Sequence, residues 1–392
     1  MYWMEKELEL MADASLERSL RTSNSVSGSP GYTLRGEQVL LNMSSNDYLG
    51  LSQHPAILEV MREALLTEGA GSGASRHVTG NHMSYRRLEE ALTDWQNCEA
   101  ALVFANGYMA NSGVISALVD RGDVVFSDKL NHASMVDGIV LSRAEHARYR
   151  HNDMEHLRTL LNKYRDKRRK LIVTDSVFSM DGDQAPLRVL AELKREYGAM
   201  LMVDEAHSGG IYGGRGEGLC HELGLQNDVD IHMGTFSKSF GVYGAYICGS
   251  RTLIRWLVNK ARPLIYSTAL PPSIVAGISK SLDLVQKEHW RRERLYAAAG
   301  LFRSSLCDAG FNIGAGNSPI VPLIVGDNDT ALRFSRALEE EGIIAVAIRP
   351  PTVPDGTARI RFSLSAVHTD KELINAAERI HSIGLRLRVL SP

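Results

Sequence analysis

The sequence has only four cysteines in 392 residues, Cys98, Cys220, Cys248 and Cys307, and their scatter shows no metal-ligand spacing. Such cysteines read as reduced thiols of a cytoplasmic protein, and no metal is expected. Charge of one sign is also lacking. A formal net charge of -2 gives no electrostatic case for nucleic acid or for an anionic membrane. No apolar run approaches the roughly 20 residues of a membrane span, and the opening "MYWMEKELEL" has neither the order nor the composition of a signal peptide. Repeats and low-complexity segments are absent. There is no G-x-x-x-x-G-K-[ST] phosphate loop, so the "DEAH" at 204–207 is a poor helicase signal. What remains is ordinary globular material, 44% hydrophobic and 23% charged, long enough for two domains or for one large domain with an appendage.

Residues 1 to about 40 begin with a charged amphipathic stretch and pass through "RTSNSVSGSPG", which reads as a loop. Short apolar runs then alternate with helical patterns. The runs are "ALVFAN" (101–106), "DVVFSD" (123–128), "KLIVTDSVF" (170–178), "AMLMVDEAH" (199–207) and "GAYICGS" (244–250). Between them "MANSGVISALVD", "MEHLRTLLNKYRDKRR" and "PLRVLAELKREYG" are apolar at helical spacing, the last opening on proline and closing on glycine. This alternation predicts a mostly parallel sheet covered on both faces, with ligands beyond the carboxyl ends of its strands. A long helical pattern over about 272–308 leads to strand "PIVPLIVG", helix "DTALRFSRALEEEG", strands "IIAVAI" and "ARIRFSLS" and helix "DKELINAAERIHSIG", a small α+β domain. The expected division is an arm over 1–43, a large domain over 44–285 and a small domain over 286–392.

The strand ends hold the candidate chemistry. Asp204 and His207 close "AMLMVDEAH"; the carboxylate there suits a cationic partner such as a protonated ring nitrogen, and a solvated loop or helix cap is the plainer alternative. His132, in "SDKLNHASMVDG", can stack on an aromatic ligand and donate a hydrogen bond, or be purely structural. Gly107 and Tyr108 open a helix, where free amides favour a phosphate, and Ser179 adds a hydroxyl at another strand end. Lys238, in "GTFSKSFGVYGAY", follows Asp204 by 34 residues, about one αβ unit, with Thr235 and Ser237 beside it. A free ammonium is expensive to bury, so this lysine must be paired, exposed or employed. A phosphate-bearing aldehyde cofactor would employ it: the amine forms a Schiff base, Asp204 keeps a pyridine nitrogen protonated, an aromatic side chain stacks, and hydroxyls with a helix start hold the phosphate.

Nearly the whole chain resembles the α-oxoamine synthase family of pyridoxal-phosphate enzymes. The shared motifs are "SSNDYLGLSQHP" (44–55), "GSGASRHVTGN" (71–81), "LNHASMVDG" (130–138), "DSVFSMDGD" (175–183), "VDEAHSGG" (203–210) and "TFSKSFG" (235–241). The resemblance implies a fold-type-I α/β architecture, a homodimer, and pyridoxal 5'-phosphate held by Gly107, Tyr108, Ser179, Asp204, His207, Thr235 and Lys238, with His132 on the ring. Ser267 and Thr268, in "IYSTALPP", are implied to reach the partner subunit's phosphate. The segment "AIRPPTVPDGTARIRFSLSA" (347–366) and Arg21 point to the member that joins L-alanine to a pimeloyl thioester, carried by coenzyme A or by acyl carrier protein, with loss of carbon dioxide. On that resemblance Asn46 and Arg349 hold the amino-acid carboxylate, while Arg21 and Thr352 meet the pimeloyl carboxylate. Lys238 takes the α-proton and His132 polarises the thioester. Two positions depart from the family pattern, Asp175 in place of glutamate and Tyr85 in place of histidine. Another member using glycine or serine, and a cofactor-free scaffold, are the rival readings.

Overall fold

A computed structural model describes residues 2–390. The chain forms two compact units: residues 54–178 with 184–292, and residues 1–53 with 179–183 and 293–392.

The first of these carries a seven-stranded sheet. In spatial order its strands are Ala100–Phe104, Ala245–Gly249, Ile231–Thr235, Met200–Asp204, Lys170–Asp175, Val124–Asp128 and Glu145–Tyr149. All neighbouring pairs run parallel except those made by Ala245–Gly249, which is antiparallel to both its neighbours. The sheet is therefore mostly parallel, as the continuous apolar runs imply for strands buried on both faces. The strand Glu145–Tyr149 was not legible as a run, because "EHARY" mixes charge into an edge strand paired on one side only. The helix Leu187–Tyr197 buries Leu187, Leu190, Ala191 and Leu193, and it ends where Gly198 takes a left-handed φ of 58°. Phe104, Val114, Ile115, Val125, Ile139 and Met233 belong to one buried cluster between sheet and helices.

The other unit joins the two ends of the chain. Gln38–Asn42 pairs antiparallel with Tyr32–Arg35 and parallel with Ile343–Ile344, so residues 24–53 belong with the C-terminal hundred rather than forming a separate arm. The helix Tyr2–Asp13 has no buried residue. The run "IIAVAI" is split: Ile343–Ile344 joins the sheet just named, and Val346–Ile348 joins a three-stranded antiparallel sheet with Ala358–Ser363 and Ile320–Gly326. The expected helical stretch over 272–308 is two helices, Pro272–Lys287 and His289–Asp308, and the division between units falls inside the second, past the 285/286 boundary expected from sequence. The final helix Asp370–Arg386 starts with a capping box, Thr369 and Glu372 each satisfying the other's amide.

No helix among the described residues is long and apolar enough to cross a membrane.

His368, 1% exposed, fixes the entry to that final helix as a neutral ring. Its Nδ1 accepts from the Ser365 amide at 3.2 Å and its Nε2 donates to the Asn42 carbonyl at 3.2 Å. Burial lowers its pKa below the usual histidine value, against the raising effect of the Asn42 carbonyl. The unfolded chain therefore takes up this proton first, so the stability held above about pH 6.5 is lost as pH falls below it. His368→Gln should flatten the fall of Tm between about pH 7 and pH 5 relative to the parent protein, read by thermal denaturation across pH. An unchanged slope would mean that His368 does not stay neutral in the fold.

Candidate active site

Three adjacent strands of the large sheet end on polar residues. Asp204 and Asp175 are register partners at the ends of their strands, and Thr235 closes the next one. Loops beyond these ends enclose a cavity of about 180 Å³, whose lining includes Gly107, Tyr108, His132, His207, Thr235 and Lys238 together with Asp204. Seven of the predicted cofactor residues thus share one cavity within one unit.

Lys238 sits in a turn closed by the Gly241 amide donating to its carbonyl at 2.9 Å, and its Nζ lies 2.8 Å from His207 Nε2. The Thr235 hydroxyl donates to the Gly244 carbonyl at 2.8 Å and accepts from the Ser237 amide at 3.2 Å, which fixes the segment leading into the lysine. Lys238 is paired inside the cavity rather than solvated.

A hydrogen-bond chain links Asp204 to His132. Asp204 Oδ1 accepts from the Ala206 amide at 2.9 Å, and Oδ2 accepts from Asn111 Nδ2 at 2.7 Å. The same Asn111 nitrogen donates to Ser134 Oγ at 2.9 Å, and Ser134 Oγ lies 2.7 Å from His132 Nδ1. His132 caps the helix Ala133–Ser142, its Nδ1 accepting from the Ser134 amide. With Nδ1 an acceptor, the ring proton sits on Nε2. Burial lowers the pKa of this ring, with Asp204 opposing and Lys238 reinforcing, so the neutral donor form is favoured at neutral pH. Asp175, also buried, accepts the His132 amide at 2.9 Å. Burial first, and then the neighbouring Asp204, push the Asp175 carboxyl well up, so it is disfavoured as a second anion.

The residues fit a phosphorylated aromatic aldehyde. The helix Gly107–Leu118 points its start into the cavity lining, where the first amides have no intrahelical acceptor. A Cβ on Gly107 would lie 2.9 Å from Met233 Cε, so the end of that flexible side chain would have to shift to admit one. Asn111 Oδ1 is buried and has no partner among the described residues. Asn111 was missed in the sequence. The signal was its place four residues after Gly107, one helical turn along the same face.

Other candidates lie elsewhere. Ser267 and Thr268 are in the same unit but off the lining of the Lys238 cavity, bordering a small cleft with Arg76 and Tyr85. Tyr85 is buried there, its hydroxyl accepting the Leu270 amide at 2.7 Å and its ring lying 4.1 Å from the Arg76 guanidinium carbon. Ser179 belongs to the other unit, where its carbonyl accepts from Arg361 Nε at 2.6 Å. In that unit Arg361 also donates to Asn46 Oδ1 at 3.1 Å and to Ser363 Oγ at 2.6 Å. Arg361 is 7% exposed, yet it has no carboxylate partner among the described residues. The guanidinium on Asn46 is therefore that of Arg361, not of Arg349. Arg349 donates to the carbonyls of Ser15 and Glu17 and lines a second cavity, of about 440 Å³, with Arg21 and Thr352.

Glu205, Cys220 and His232 bring ligand atoms within 4.8 Å of one another. Their geometry is that of a buried ion pair. Glu205 accepts from the Cys220 amide at 2.9 Å and faces His232 Nδ1 at 3.2 Å, while His232 Nε2 is 3.0 Å from the Gln226 carbonyl. Burial opposes the charge on His232, but the Glu205 carboxylate prevails and raises its pKa.

Residues 38–380 match the family described as aminotransferase class I and II. A relative from Geobacillus kaustophilus, provisionally named 8-amino-7-oxononanoate synthase, is 53% identical over 353 residues, 90% of each chain. A Bacillus cereus relative of the same provisional name is also 53% identical, over 90% of each chain. Among solved structures, serine palmitoyltransferase from S. paucimobilis, carrying a pyridoxal-phosphate–myriocin adduct, superposes with a TM-score of 0.94 at 32% identity, covering 99% of this chain and 98% of that one. The 8-amino-7-oxononanoate synthase of Francisella tularensis gives 0.78 at 29% identity, over 90% of this chain and 99% of that one.

Two expectations follow. Borohydride reduction of the cofactor-loaded protein should fix the cofactor's mass on the peptide bearing Lys238; a label on any other lysine would overturn the assignment. Asn111→Ala leaves a buried carboxylate oxygen without its side-chain donor, and should cost about 1–3 kcal/mol of stability in the cofactor-free protein, measured by urea denaturation. A loss near zero would mean that the bond to Asp204 is not maintained.

Proposed function

The chain belongs to the class I and II aminotransferase family and works with pyridoxal 5'-phosphate as a transferase, and from that footing we propose that it condenses L-alanine with a pimeloyl thioester. The products are 8-amino-7-oxononanoate, carbon dioxide and the free thiol carrier, a step of biotin synthesis. The cofactor, when bound, supplies an electron sink for the α-carbon of the amino acid. The protein supplies the rest. The Lys238 amine takes and returns the α-proton, held by its contact with His207. Asp204 holds the proton of the ring nitrogen, with Asn111 and the Ala206 amide fixing its orientation. His132 presents Nε2–H to the thioester carbonyl, because its Nδ1 is occupied by Ser134.

The alanine carboxylate is assigned by a buried guanidinium that lacks a carboxylate partner. A guanidinium buried among neutral groups gains most from an anion, and Arg361, whose donors otherwise meet only neutral oxygens such as that of Asn46, is proposed to meet the alanine carboxylate. Arg349 takes its place in the acyl cavity instead. The observation that carries the acyl assignment is that Arg21 and Thr352 line one cavity with the apolar Leu332, Ile344 and Ile348. Guanidinium at one side and aliphatic wall at another suit an acyl chain that ends in a carboxylate. Ser267 and Thr268, off the cavity of their own unit, are assigned to the phosphate held by a partner subunit.

The closer superposition on serine palmitoyltransferase favours a second reading, serine with a fatty acyl thioester. Fold similarity does not choose a substrate, and the higher identity to the provisional synthases and the arginine-rich cavity both favour the carboxylate-ended chain. Mass spectrometry of products from alanine, glycine or serine, each offered with pimeloyl-CoA or palmitoyl-CoA, decides between them. Alanine with pimeloyl-CoA should give the main product; a dominant serine–palmitoyl product would sink the proposal. Arg21→Ala should raise the KM for pimeloyl-CoA roughly 10- to 150-fold, the loss of one charge-assisted bond, and leave heptanoyl-CoA unaffected. Equal weakening of both donors would make Arg21 structural.

A further inference from the structure

The acyl cavity already contains an anion of its own. Five arginines line it, Arg18, Arg21, Arg35, Arg336 and Arg349, against two glutamates, Glu17 and Glu339. One oxygen, Glu339 Oε2, receives both Arg21 Nη1 at 2.7 Å and Arg35 Nη1 at 2.9 Å. The guanidinium expected to meet the acyl carboxylate is therefore occupied by a carboxylate from the protein.

We propose that Glu339 is a displaceable internal counter-ion: it holds Arg21 and Arg35 together in the empty cavity and yields its place at Arg21 to the terminal carboxylate of the acyl donor. This rests on the reading above that the donor ends in a carboxylate.

Three features make Glu339 suited to leave. It stands in the last turn of the helix Asn328–Glu340, where the helix dipole disfavours a carboxylate, and that turn contains no basic residue. Glu340 and Glu341 follow it directly, adding like charge. Its hold is thus local and comes from the two arginines alone. Those pairs are accessible: the Arg21 side chain is 49% exposed and that of Glu339 23%, so water and salt weaken them. Finally, the exchange is nearly neutral in charge. An incoming carboxylate replaces a carboxylate at Arg21, and Glu339 keeps Arg35 as its partner. An uncharged chain end offers nothing in exchange and leaves the pair closed. Glu339 thereby tunes the affinity for an anionic chain end, since that end must displace it from Arg21 while an uncharged end does not engage the pair.

The test separates competition from support. Glu339→Gln removes the competitor, and should lower the KM for pimeloyl-CoA roughly 2- to 5-fold, the range an exposed ion pair commands, with kcat unchanged. Arg35→Gln leaves Glu339 to Arg21 alone, and should raise the same KM by a similar factor. Free pimelate, used as a competitive inhibitor of the loaded enzyme, should bind more tightly to Glu339→Gln and more weakly to Arg35→Gln. Heptanoyl-CoA should respond to neither change. A merely structural ion-pair network would move both variants in the same direction, and a KM for pimeloyl-CoA that is unchanged or raised in Glu339→Gln overturns the proposal. If the parent enzyme itself fails to prefer pimeloyl-CoA over heptanoyl-CoA, the substrate reading falls and this inference falls with it. A preserved preference with an unimproved Glu339→Gln overturns the counter-ion role alone.

Discussion

The buried carboxylate of Asp204 is the constraint to which the rest of its cavity is fitted. A carboxylate taken out of water needs donors on both oxygens, and the chain supplies one from its own loop, Ala206, and one from a facing helix, Asn111. That second donor has consequences further on. The Asn111 amide has another hydrogen, which goes to Ser134, whose own hydroxyl proton is then directed at His132. The tautomer of His132 is thus decided by where Asp204 sits. Lys238, on the following strand's loop, meets His207 at the same rim. Disturbing the aspartate would alter the hydrogen-bond roles of side chains one and two links away.

The other unit solves a different problem, that of guanidinium groups buried without carboxylates. Arg361 spreads its charge over a carbonyl, two hydroxyls and an amide oxygen, and Arg349 over two carbonyls. Oxygen dipoles keep such a cation in place but do not neutralise it. Around Arg349, burial and then the neighbouring Arg18 lower its pKa from the usual arginine value, a sign that the site is short of negative charge. Glu339 supplies some of that charge at the more exposed end of the cavity, where the cost of bringing it is lowest.

Most of the large unit was legible because its signals are local. A continuous apolar run announces a strand buried on both faces, and the residues that end the run lie at the ligand rim, which is how Asp204 and His207 could be found without coordinates; Lys238 followed from its spacing after Asp204, with Thr235 beside it. His132 likewise came from the end of a strand, and Gly107 with Tyr108 from a helix start, equally local features. The features that escaped depend on partners far along the chain. Asn111 reads as an interior helix residue until Asp204, 93 positions later, is placed against it. Arg361 sits 315 positions from Asn46, so the choice between it and Arg349 could not be made from either motif alone. The run "IIAVAI" looks like one strand because nothing within it records that Ile343 pairs with Leu41 while Ala347 pairs with Ile360.

This division also bears on substrate choice, because the two solved structures rank alike by superposition and by identity, and neither measure singles out an acyl donor. The parts proposed to serve the reaction at the α-carbon, a lysine, a carboxylate, a neutral histidine and a helix start, lie where the sheet topology puts them, and serine palmitoyltransferase shares that fold at a TM-score of 0.94. The parts proposed to select the acyl donor are side chains on short segments, Arg21, Arg35, Glu339 and Thr352, whose exchange would leave the backbone where it is. A superposition is nearly blind to such changes. On the proposed reading, what the enzyme accepts turns on a handful of charges at one cavity, and there the balance of five arginines against two glutamates speaks for a chain that brings its own carboxylate.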